Sequence, residues 1–376
     1  MIYLDNAATC KPYLELLDLF NEIEKDYFAN AQSYHQLGLL SLEHLKKARK
    51  KILTSLNISQ THLAIFLSSA TEANNLALKG YALKYQKRGK HIILSNIEHP
   101  SVIETCLQLK EEFGFELTFL EVNEQGMINL DDLKKALKKS TILVSIMAVN
   151  NETGSINLIN EIAALVHQKS LAAFHVDVTQ AIGKIHLNYQ NIDMFSFSGH
   201  KINGLKGSGA LVIRKNISLL PLLSGGQQEY GFRSATSSVA LASTLAEAVV
   251  ISLEKMKKNL AHVKTLNNLL HEHLSKRKDI KINSPSNGSP FIFNFSLLNK
   301  KASVVVEALS NEQIYVSSFS ACQSNNKGFS YVVKALGRTE LEAQNTIRVS
   351  FDYNSTKEDV LAFLKAFENI IERIKG

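Results

Sequence analysis

Lys201 ends the mostly apolar stretch MFSFSGHK (194–201), and the glycine-rich segment INGLKGSG follows at once. A lysine in such a place can bind a nucleotide phosphate, lie on the surface as one more cation, or form a covalent bond to a cofactor. The nucleotide-binding P-loop needs Gly followed directly by Lys and Ser/Thr, with another Gly five residues earlier. Neither Gly199-His200-Lys201-Ile202 nor Gly204-Leu205-Lys206-Gly207 fits that pattern, and GxGxxG is absent. The sequence therefore supports neither an NTPase nor a dinucleotide-binding dehydrogenase.

Two other segments carry groups that a covalent cofactor would need. Asp177 ends the β-rich run in HVDVTQ, and Gln180 follows three residues later. In SSATEANN, residues 69–72 fit a capping box, so we expect a helix to begin there and to offer its N–H groups to an anion. Taken singly, each feature is explained by a helix cap. Together with Lys201 they suit pyridoxal 5′-phosphate (PLP), which needs a Schiff-base lysine, an aspartate that keeps the pyridine nitrogen protonated, and a phosphate site near Thr71.

These groups follow short β-rich runs that helical segments separate from about residue 60 onward. The runs are HLAIFLS, HIILS, ELTFLEV, TILVSIMAV, AAFHVDV, DMFSFS and SGALVIR. This order predicts an α/β fold with a mainly parallel seven-stranded sheet flanked by helices. Ligands bind beyond the carboxyl ends of such strands, where the polar clusters SSATEANN, NIEHPS, NNETG, DVTQ and SGHK lie. The last hundred residues contain fewer crossovers and predict a smaller α+β domain.

Composition and charge narrow the class of protein. The chain has 376 residues, of which 45% are apolar and 20% charged, values that argue against disorder. The net charge is +7, but the lysines are scattered in pairs with glutamates nearby. That pattern is typical of solvated helix faces, so we expect no direct nucleic-acid partner. The opening MIYLDNAATC has neither a basic nor an apolar leader region, and we expect a cytoplasmic protein with no membrane contact.

The three cysteines are Cys10, Cys106 and Cys322, which are far apart and form no CxxC. This spacing excludes a disulfide framework and predicts no metal site. Cys10 and Cys106 are interpreted as packing residues. Cys322 differs because it lies in SSFSACQSNNKGFS, a polar stretch whose composition predicts an exposed loop with a reactive thiol.

Ten motifs in order along nearly the whole chain give a specific family resemblance. They are YLDNAAT (3–9), ATEANN (70–75), EHPSV (98–102), VNNETG (149–154), DVTQAIGK (177–184), SFSGHKINGLKGSG (196–209), GGQQEYGFRSAT (225–236), SAC (320–322), YVVKALG (331–337) and IRVSF (347–351). The sequence resembles the cysteine desulfurases, the NifS/IscS-like branch of the class V, fold type I PLP enzymes. The resemblance implies a large PLP-binding domain over 14–255. It also implies a small domain made of 1–13 and 256–376, which carries the Cys322 loop.

The resemblance also implies site residues. The cofactor would be bound by Ala70, Thr71, His99, Asp177, Gln180, Ser198, His200, Lys201 and, from the second subunit of a homodimer, Thr236. Lys201 would carry the Schiff base, Asp177 would face the pyridine nitrogen, and Gln180 would hydrogen-bond the ring hydroxyl. His99 would stack on the ring, while Thr71, Ser198 and His200 would bind the phosphate. The substrate would be held by Asn150, Arg348 and Asn30; the fork-shaped guanidinium suits a carboxylate.

The implied reaction removes sulfur from L-cysteine. Lys201 would take the Cα proton, and the Cys322 thiolate would attack the substrate sulfur and become a persulfide as alanine leaves. The catalytic residues are thus Lys201, Cys322 and His99. The sulfur would then pass to an acceptor protein such as an iron–sulfur scaffold or a tRNA-thiolation protein.

Several positions depart from the usual pattern, and rival functions stay open. Ser69 and Ala235 replace common glycines, Ser238 an asparagine, and Gln323, Asn325 and Phe329 alter the segment after the cysteine. None removes a group that the chemistry requires. The alternatives are a selenocysteine lyase, another class V lyase or aminotransferase, and a non-enzymatic sulfur-trafficking scaffold.

Overall fold

The computed structural model describes residues 1–318 and 328–374. Its strands are β1 (Ile2–Tyr3), β2 (His62–Leu67), β3 (His91–Ser95), β4 (Glu116–Leu120), β5 (Thr141–Ser145), β6 (Ala173–Asp177), β7 (Met194–Ser198), β8 (Gly209–Arg214), β9 (Ile280–Ile282), β10 (Ile292–Leu297), β11 (Ile314–Tyr315), β12 (Ser317–Ser318) and β13 (Thr346–Ser350). Seven of them form one sheet in the order β2-β8-β7-β6-β5-β3-β4. Only β8 runs against its neighbours in this sheet, so the predicted mainly parallel seven-stranded sheet is confirmed.

The helices are α1 (Leu14–Asp26), α2 (Gln36–Ser55), α3 (Ala70–Asn75), α4 (Tyr81–Tyr85), α5 (Pro100–Phe113), α6 (Leu130–Ala136), α7 (Ile159–Lys169), α8 (Val239–Leu274), α9 (Ala302–Asn311), α10 (Tyr331–Ala335), α11 (Glu340–Gln344) and α12 (Lys357–Arg373). A π-helical turn, Leu76–Gly80, joins α3 to α4, so one helical segment runs from residue 70 to 85. Among the helices of the described residues, none is long and apolar enough to cross a membrane.

Both faces of the seven-stranded sheet are covered. In β8, for example, side chains alternate between two hydrophobic clusters: Ala210 and Val212 pack into one, Leu211 and Ile213 into the other. Strands that are buried on both faces need apolar residues at nearly every position. That requirement explains why these strands appear in the sequence as almost continuous apolar runs.

A third hydrophobic cluster lies around the four-stranded antiparallel sheet β12-β13-β10-β9. The amino-terminal residues Leu4 and Ala7 pack into it, and β1 pairs in parallel with β11. Helix α8 contributes its first half to one cluster of the large sheet and its last turns to this third cluster. The implied boundary at 255/256 falls inside α8, and the division into two domains stays a prediction.

The start of α3 matches the predicted cap in one half only. Ser69 Oγ accepts a hydrogen bond from the backbone N–H of Glu72 at 3.2 Å, as a capping residue should. The Glu72 carboxylate, however, accepts from the N–H and hydroxyl of Ser68, both at 2.7 Å, rather than from Ser69. The helix therefore begins where the sequence predicts, but the Glu72 carboxylate bonds to Ser68 and not to the capping residue Ser69.

Candidate active site

A cavity of about 460 Å³ lies beyond the carboxyl ends of β6 and β7 and beside β13. Its walls include most of the predicted site residues, namely Ala70, Thr71, His99, Asp177, Gln180, Ser198, His200, Lys201 and Arg348. These side chains come from segments up to 278 positions apart, from Ala70 to Arg348, so only the tertiary fold brings them together.

Lys201 lies in a single 3₁₀ turn, Gly199–Lys201, directly after β7. Its ammonium donates hydrogen bonds to the carbonyl oxygens of Ala7 at 2.6 Å and Ala8 at 2.5 Å. Burial, and secondly the positive charges of Arg348 and Lys184, lower the pKa of Lys201 to about 8. A substantial fraction of this lysine is therefore a neutral, nucleophilic amine near neutral pH.

Asp177 is the last residue of β6 and faces the same cavity. Its Oδ2 accepts a hydrogen bond from the Asn74 side-chain amide at 2.9 Å, and its Oδ1 accepts from the N–H of Thr179 at 2.9 Å. Asn74 comes from α3 and Thr179 from the turn after β6. These two donors fix the carboxylate in one orientation, with its charge at the floor of the cavity.

His99 lines the cavity and also caps α5. Its Nδ1 accepts a hydrogen bond from the N–H of Ser101 at 3.1 Å and lies 2.8 Å from the Ser101 hydroxyl. Burial and the nearby Lys201 charge lower its pKa, while the Asp177 carboxylate opposes them, so the ring is neutral. Because Nδ1 accepts from a backbone N–H, the ring proton of the neutral form lies on Nε2.

The first turn of α3 lies beside the end of β7 on the cavity wall. Ser198 Oγ accepts a hydrogen bond from the N–H of Ala70 at 2.6 Å, which joins the end of β7 to the first turn of α3. Thr71 follows, on the cavity wall. Burial, and then the charges of Lys201 and other lysines, lower the pKa of His200 to about 4, so His200 is neutral there. Gly209 lets β8 approach this turn, since a Cβ on it would lie 2.7 Å from the Ser69 carbonyl carbon.

Arg348 projects from β13 on the opposite wall, and its side chain is only 14% exposed. Its Nη1 donates to the backbone carbonyl of Asn151 at 2.9 Å, and its Nη2 donates to Asp5 Oδ1 at 2.9 Å. Within the described residues its buried Nε has no partner. The guanidinium is thus held in place with donor capacity left for an anionic ligand.

The structure contradicts the prediction for Asn150. Its side chain is fully buried and does not line the cavity. Its Oδ1 accepts from Glu152 N, Thr153 N and Thr153 Oγ1, and its Nδ2 donates to the Ile97 carbonyl. Its polar atoms therefore stabilise the turn after β5 and join it to the segment before α5. The neighbouring Asn151 lines the cavity instead.

Asn30 is also separate from the cavity. It is an exposed residue between α1 and α2, and its Oδ1 accepts a hydrogen bond from Gln32 N at 2.9 Å. The structure does not bring it to the site of its own chain because the loop that carries it folds on itself.

Two predicted residues have other locations. Thr236 is exposed and lines a second cavity, of about 240 Å³, with Arg233 and Ser237. Its predicted contact with the cofactor of a partner subunit stays a prediction. Cys322 and the altered positions 323 and 325 lie outside the described residues. Cys10 and Cys106 are both buried, as interpreted from the sequence.

The sequence reasoning missed several residues that hold the site. Asp5 anchors Arg348, the carbonyls of Ala7 and Ala8 accept from Lys201, and Lys184 contacts Gln180. Glu98, beside His99, is fully buried, and burial raises its pKa to about 8. All five lie inside quoted motifs, YLDNAAT, EHPSV and DVTQAIGK, so a polar or small residue of unexplained role within a motif was the available signal.

Comparison with known proteins places this geometry in a family. The chain belongs to the aminotransferase class-V family, whose model matches residues 2–363. It is 36% identical to "Cysteine desulfurase IscS" of Dictyoglomus turgidum, an alignment that covers 100% of this chain and 95% of that protein. It is also 38% identical to "Cysteine desulfurase, mitochondrial" of Saccharomyces cerevisiae, over 100% of this chain and 75% of that one. The predicted resemblance to the NifS/IscS-like cysteine desulfurases is confirmed.

Solved structures show the same fold. A "NIFS-LIKE PROTEIN" superposes with a TM-score of 0.92 at 34% identity, covering 99% of this chain and 100% of that chain. "SspA in complex with cysteine" superposes with a TM-score of 0.81 at 32% identity, covering 95% of this chain and 100% of that chain. The fold type predicted from the sequence is therefore confirmed.

Proposed function

We propose that this chain is a PLP-dependent cysteine desulfurase that converts L-cysteine to L-alanine and a persulfide on Cys322. The observation that carries the proposal is the convergence on one cavity of Lys201, with its lowered pKa, the Asp177 carboxylate and Arg348. The family and the names of the relatives agree with it.

The residues present fit PLP. A partly neutral lysine can bond to the aldehyde, a fixed carboxylate can face the pyridinium nitrogen, and the first turn of α3 can take the phosphate. The helical segment that begins at Ala70 continues to Tyr85, so its dipole is not that of an isolated turn. Thr179 Oγ1, on the cavity wall, is buried without a partner among the described residues and is a further polar group for a ligand. When bound, PLP supplies an electron sink for the bond-breaking steps.

Each side chain has a distinct task in this proposal. Arg348 binds the substrate carboxylate and thereby orients the amino acid over the cavity floor. Lys201, freed from its contacts with Ala7 and Ala8, is a neutral amine that can accept the Cα proton. Asp177 keeps the pyridine nitrogen protonated, and neutral His99 faces the cavity with its ring proton on Nε2.

The sulfur step belongs to Cys322. Its thiolate attacks the substrate sulfur, the new S–S bond forms as the carbon–sulfur bond breaks, and the electron pair stays with the carbon fragment. A proton on that carbon completes alanine, and Cys322 keeps the sulfur as a persulfide. No external oxidant is needed, because the two electrons that the sulfur atoms lose stay with the carbon fragment, whose β-carbon is reduced to the methyl group of alanine.

A paired experiment tests both halves of the proposal. The purified protein should show the visible absorbance band of a cofactor bonded covalently to Lys201, and Lys201→Ala should abolish that band. Cys322→Ala should keep the band yet release almost no sulfide from L-cysteine in the presence of a thiol reductant. Cys106→Ala is the matched control, because Cys106 is buried in the core, and it should release sulfide normally. Undiminished sulfide release by Cys322→Ala would place the nucleophile elsewhere. Comparing the same assay on L-cysteine and on selenocysteine distinguishes a cysteine desulfurase from a selenocysteine lyase.

We propose further that the enzyme is a cytoplasmic homodimer that hands its sulfur to an acceptor protein, either an iron–sulfur scaffold or a tRNA-thiolation protein. Exposed apolar side chains support the dimer: Tyr34 is 98% exposed, Phe28 70% and Tyr230 56%. Thr236, outside the cavity of its own chain, would reach the cofactor of the partner. Sedimentation should give twice the chain mass, and Thr236→Ala should weaken PLP binding without changing that mass.

A further inference from the structure

Lys184 is a buried cation that the proposed mechanism does not use. It is 7% exposed, and its ammonium donates a 2.8 Å hydrogen bond to the side-chain Oε1 of Gln180. It also lies 5.8 Å from the centre of the Phe291 ring. No ion pair in residues 1–318 and 328–374 includes it. Burying an ammonium without a contacting carboxylate costs free energy, so this arrangement calls for a compensating role.

The backbone is shaped to make this contact. Residues 178–185 form a tight turn after β6 in which Lys184 N donates to Ala181 O at 3.0 Å. Gly183 has a positive φ of 67°, and a Cβ there would lie 2.3 Å from the Ser252 hydroxyl oxygen. A glycine is therefore required just before the lysine, and the turn brings Lys184 back toward Gln180, four positions earlier.

The contact determines which way the Gln180 amide points. A lysine ammonium can only donate, so the atom facing Lys184 is the amide oxygen. On its other side, Gln180 Nε2 donates to the Ala7 carbonyl at 3.0 Å, and a carbonyl can only accept. Both neighbours thus require the same orientation. The NH₂ group then has a second hydrogen, and within the described residues no acceptor takes it.

That second N–H is available to the cavity, whose wall includes Gln180. The Ala7 carbonyl that holds Nε2 also accepts from Lys201 at 2.6 Å. A continuous chain of contacts therefore runs from Lys184 through the Gln180 amide and the Ala7 carbonyl to Lys201. A cation on the amide oxygen withdraws electrons from the amide and strengthens its N–H as a donor.

We propose that Lys184 is a positioning residue that locks and polarises the Gln180 amide so that it offers an N–H donor, and never its oxygen, to an anionic oxygen of the bound ligand. The inference rests on the proposed function, in which that oxygen is the ring oxygen of PLP. The donor stabilises the oxygen when it is deprotonated, and removing Lys184 should make that ionisation harder. The other titratable or charged groups that act on Lys184 or Lys201 are Asp5, Cys10, Arg348 and Asp352, and all of them stay unchanged in the variants below.

The test is the pH midpoint of the visible cofactor band in the holoenzyme, measured in a double-mutant cycle. Lys184→Met keeps the length of the side chain and removes the charge; it should raise the midpoint by about one pH unit, a roughly tenfold change in the ionisation constant. Gln180→Leu should also raise it. In the Gln180→Leu background, most of the further shift caused by Lys184→Met should disappear.

Each outcome has a defined meaning. An equal shift on Lys184→Met in both backgrounds shows that Lys184 acts through its charge alone and overturns the inference, as does the absence of any shift on Lys184→Met when Gln180 is intact. Absence of any cofactor band in the unmodified protein overturns the proposed function instead. If Lys184→Met does not fold, Lys184→Gln serves, since it removes the charge and keeps an N–H donor for the Gln180 oxygen. It should raise the midpoint with Gln180 intact, and an unchanged midpoint refutes the polarising role of Lys184.

Discussion

The lowered pKa of Lys201 leads to a quantitative prediction for the apoenzyme. Burial is the largest cause, followed by the charges of Arg348 and Lys184, and the pKa moves from 10.5 to about 8. At about pH 7.5, roughly a quarter of such amines are neutral, against about one in a thousand for an ordinary lysine, a ratio of roughly 200-fold. Covalent attachment of PLP requires the neutral amine, so the attachment rate should rise with pH and level off above a midpoint near 8.

The assay is stopped-flow absorbance after PLP is mixed with apoenzyme over a range of pH. Each rate is divided by the rate for a blocked lysine in solution expressed per neutral amine, which corrects for the ionisation of PLP itself and keeps that of Lys201, and Lys201→Ala is the blank. Arg348→Leu should raise the midpoint, because the Arg348 charge is the second cause of the lowered pKa. A rate that keeps rising toward the pKa of a free lysine would refute the reasoning that burial in this cavity neutralises Lys201.

Two further predictions concern Arg348, on the cavity wall at β13, and Asn150, which is buried outside that cavity's lining. Arg348→Lys keeps the charge but loses the guanidinium fork, which should cost about 1.5–3 kcal/mol of substrate binding free energy. We therefore expect a roughly 10- to 100-fold higher KM for L-cysteine and no change for its methyl ester, which has no carboxylate. An equal rise in KM for both substrates would refute this role of Arg348. Asn150→Ala leaves the buried N–H groups of Glu152 and Thr153 without their acceptor and should lower the free energy of unfolding by about 3 kcal/mol. Asn151→Ala should cost about 0.5 kcal/mol, and denaturant titration showing equal losses would contradict the structural role of Asn150.

Much of the scaffold could be predicted because local rules determine it. The apolar runs that alternate with helical segments indicated the seven strands, since strands buried on both faces need apolar residues at nearly every position. The position of Ser69 indicated the start of α3, because a capping hydroxyl acts within three residues. Lys201 and Asp177 were found in the same way, as polar residues at strand ends.

Asn150 and Asn151 show where such rules stop. The two are identical in type and adjacent, so composition and periodicity cannot separate them. The turn after β5 directs one side chain inward to three donors and leaves the other on the cavity wall. The same limit applied to Lys184, whose orienting contact with Gln180 depends on a positive φ at Gly183 and on the space left by Ser252.

The sequence by itself thus determined the fold class, the family and the types of reactive group. The tertiary structure alone decided their directions and charge states. Arg348 meets Asp5 across 343 positions, and Lys201 meets the Ala7 carbonyl across 194. Contacts at such separations, and the burial that lowers the pKa of Lys201, depend on how the whole chain packs, and no local pattern of residues encodes them.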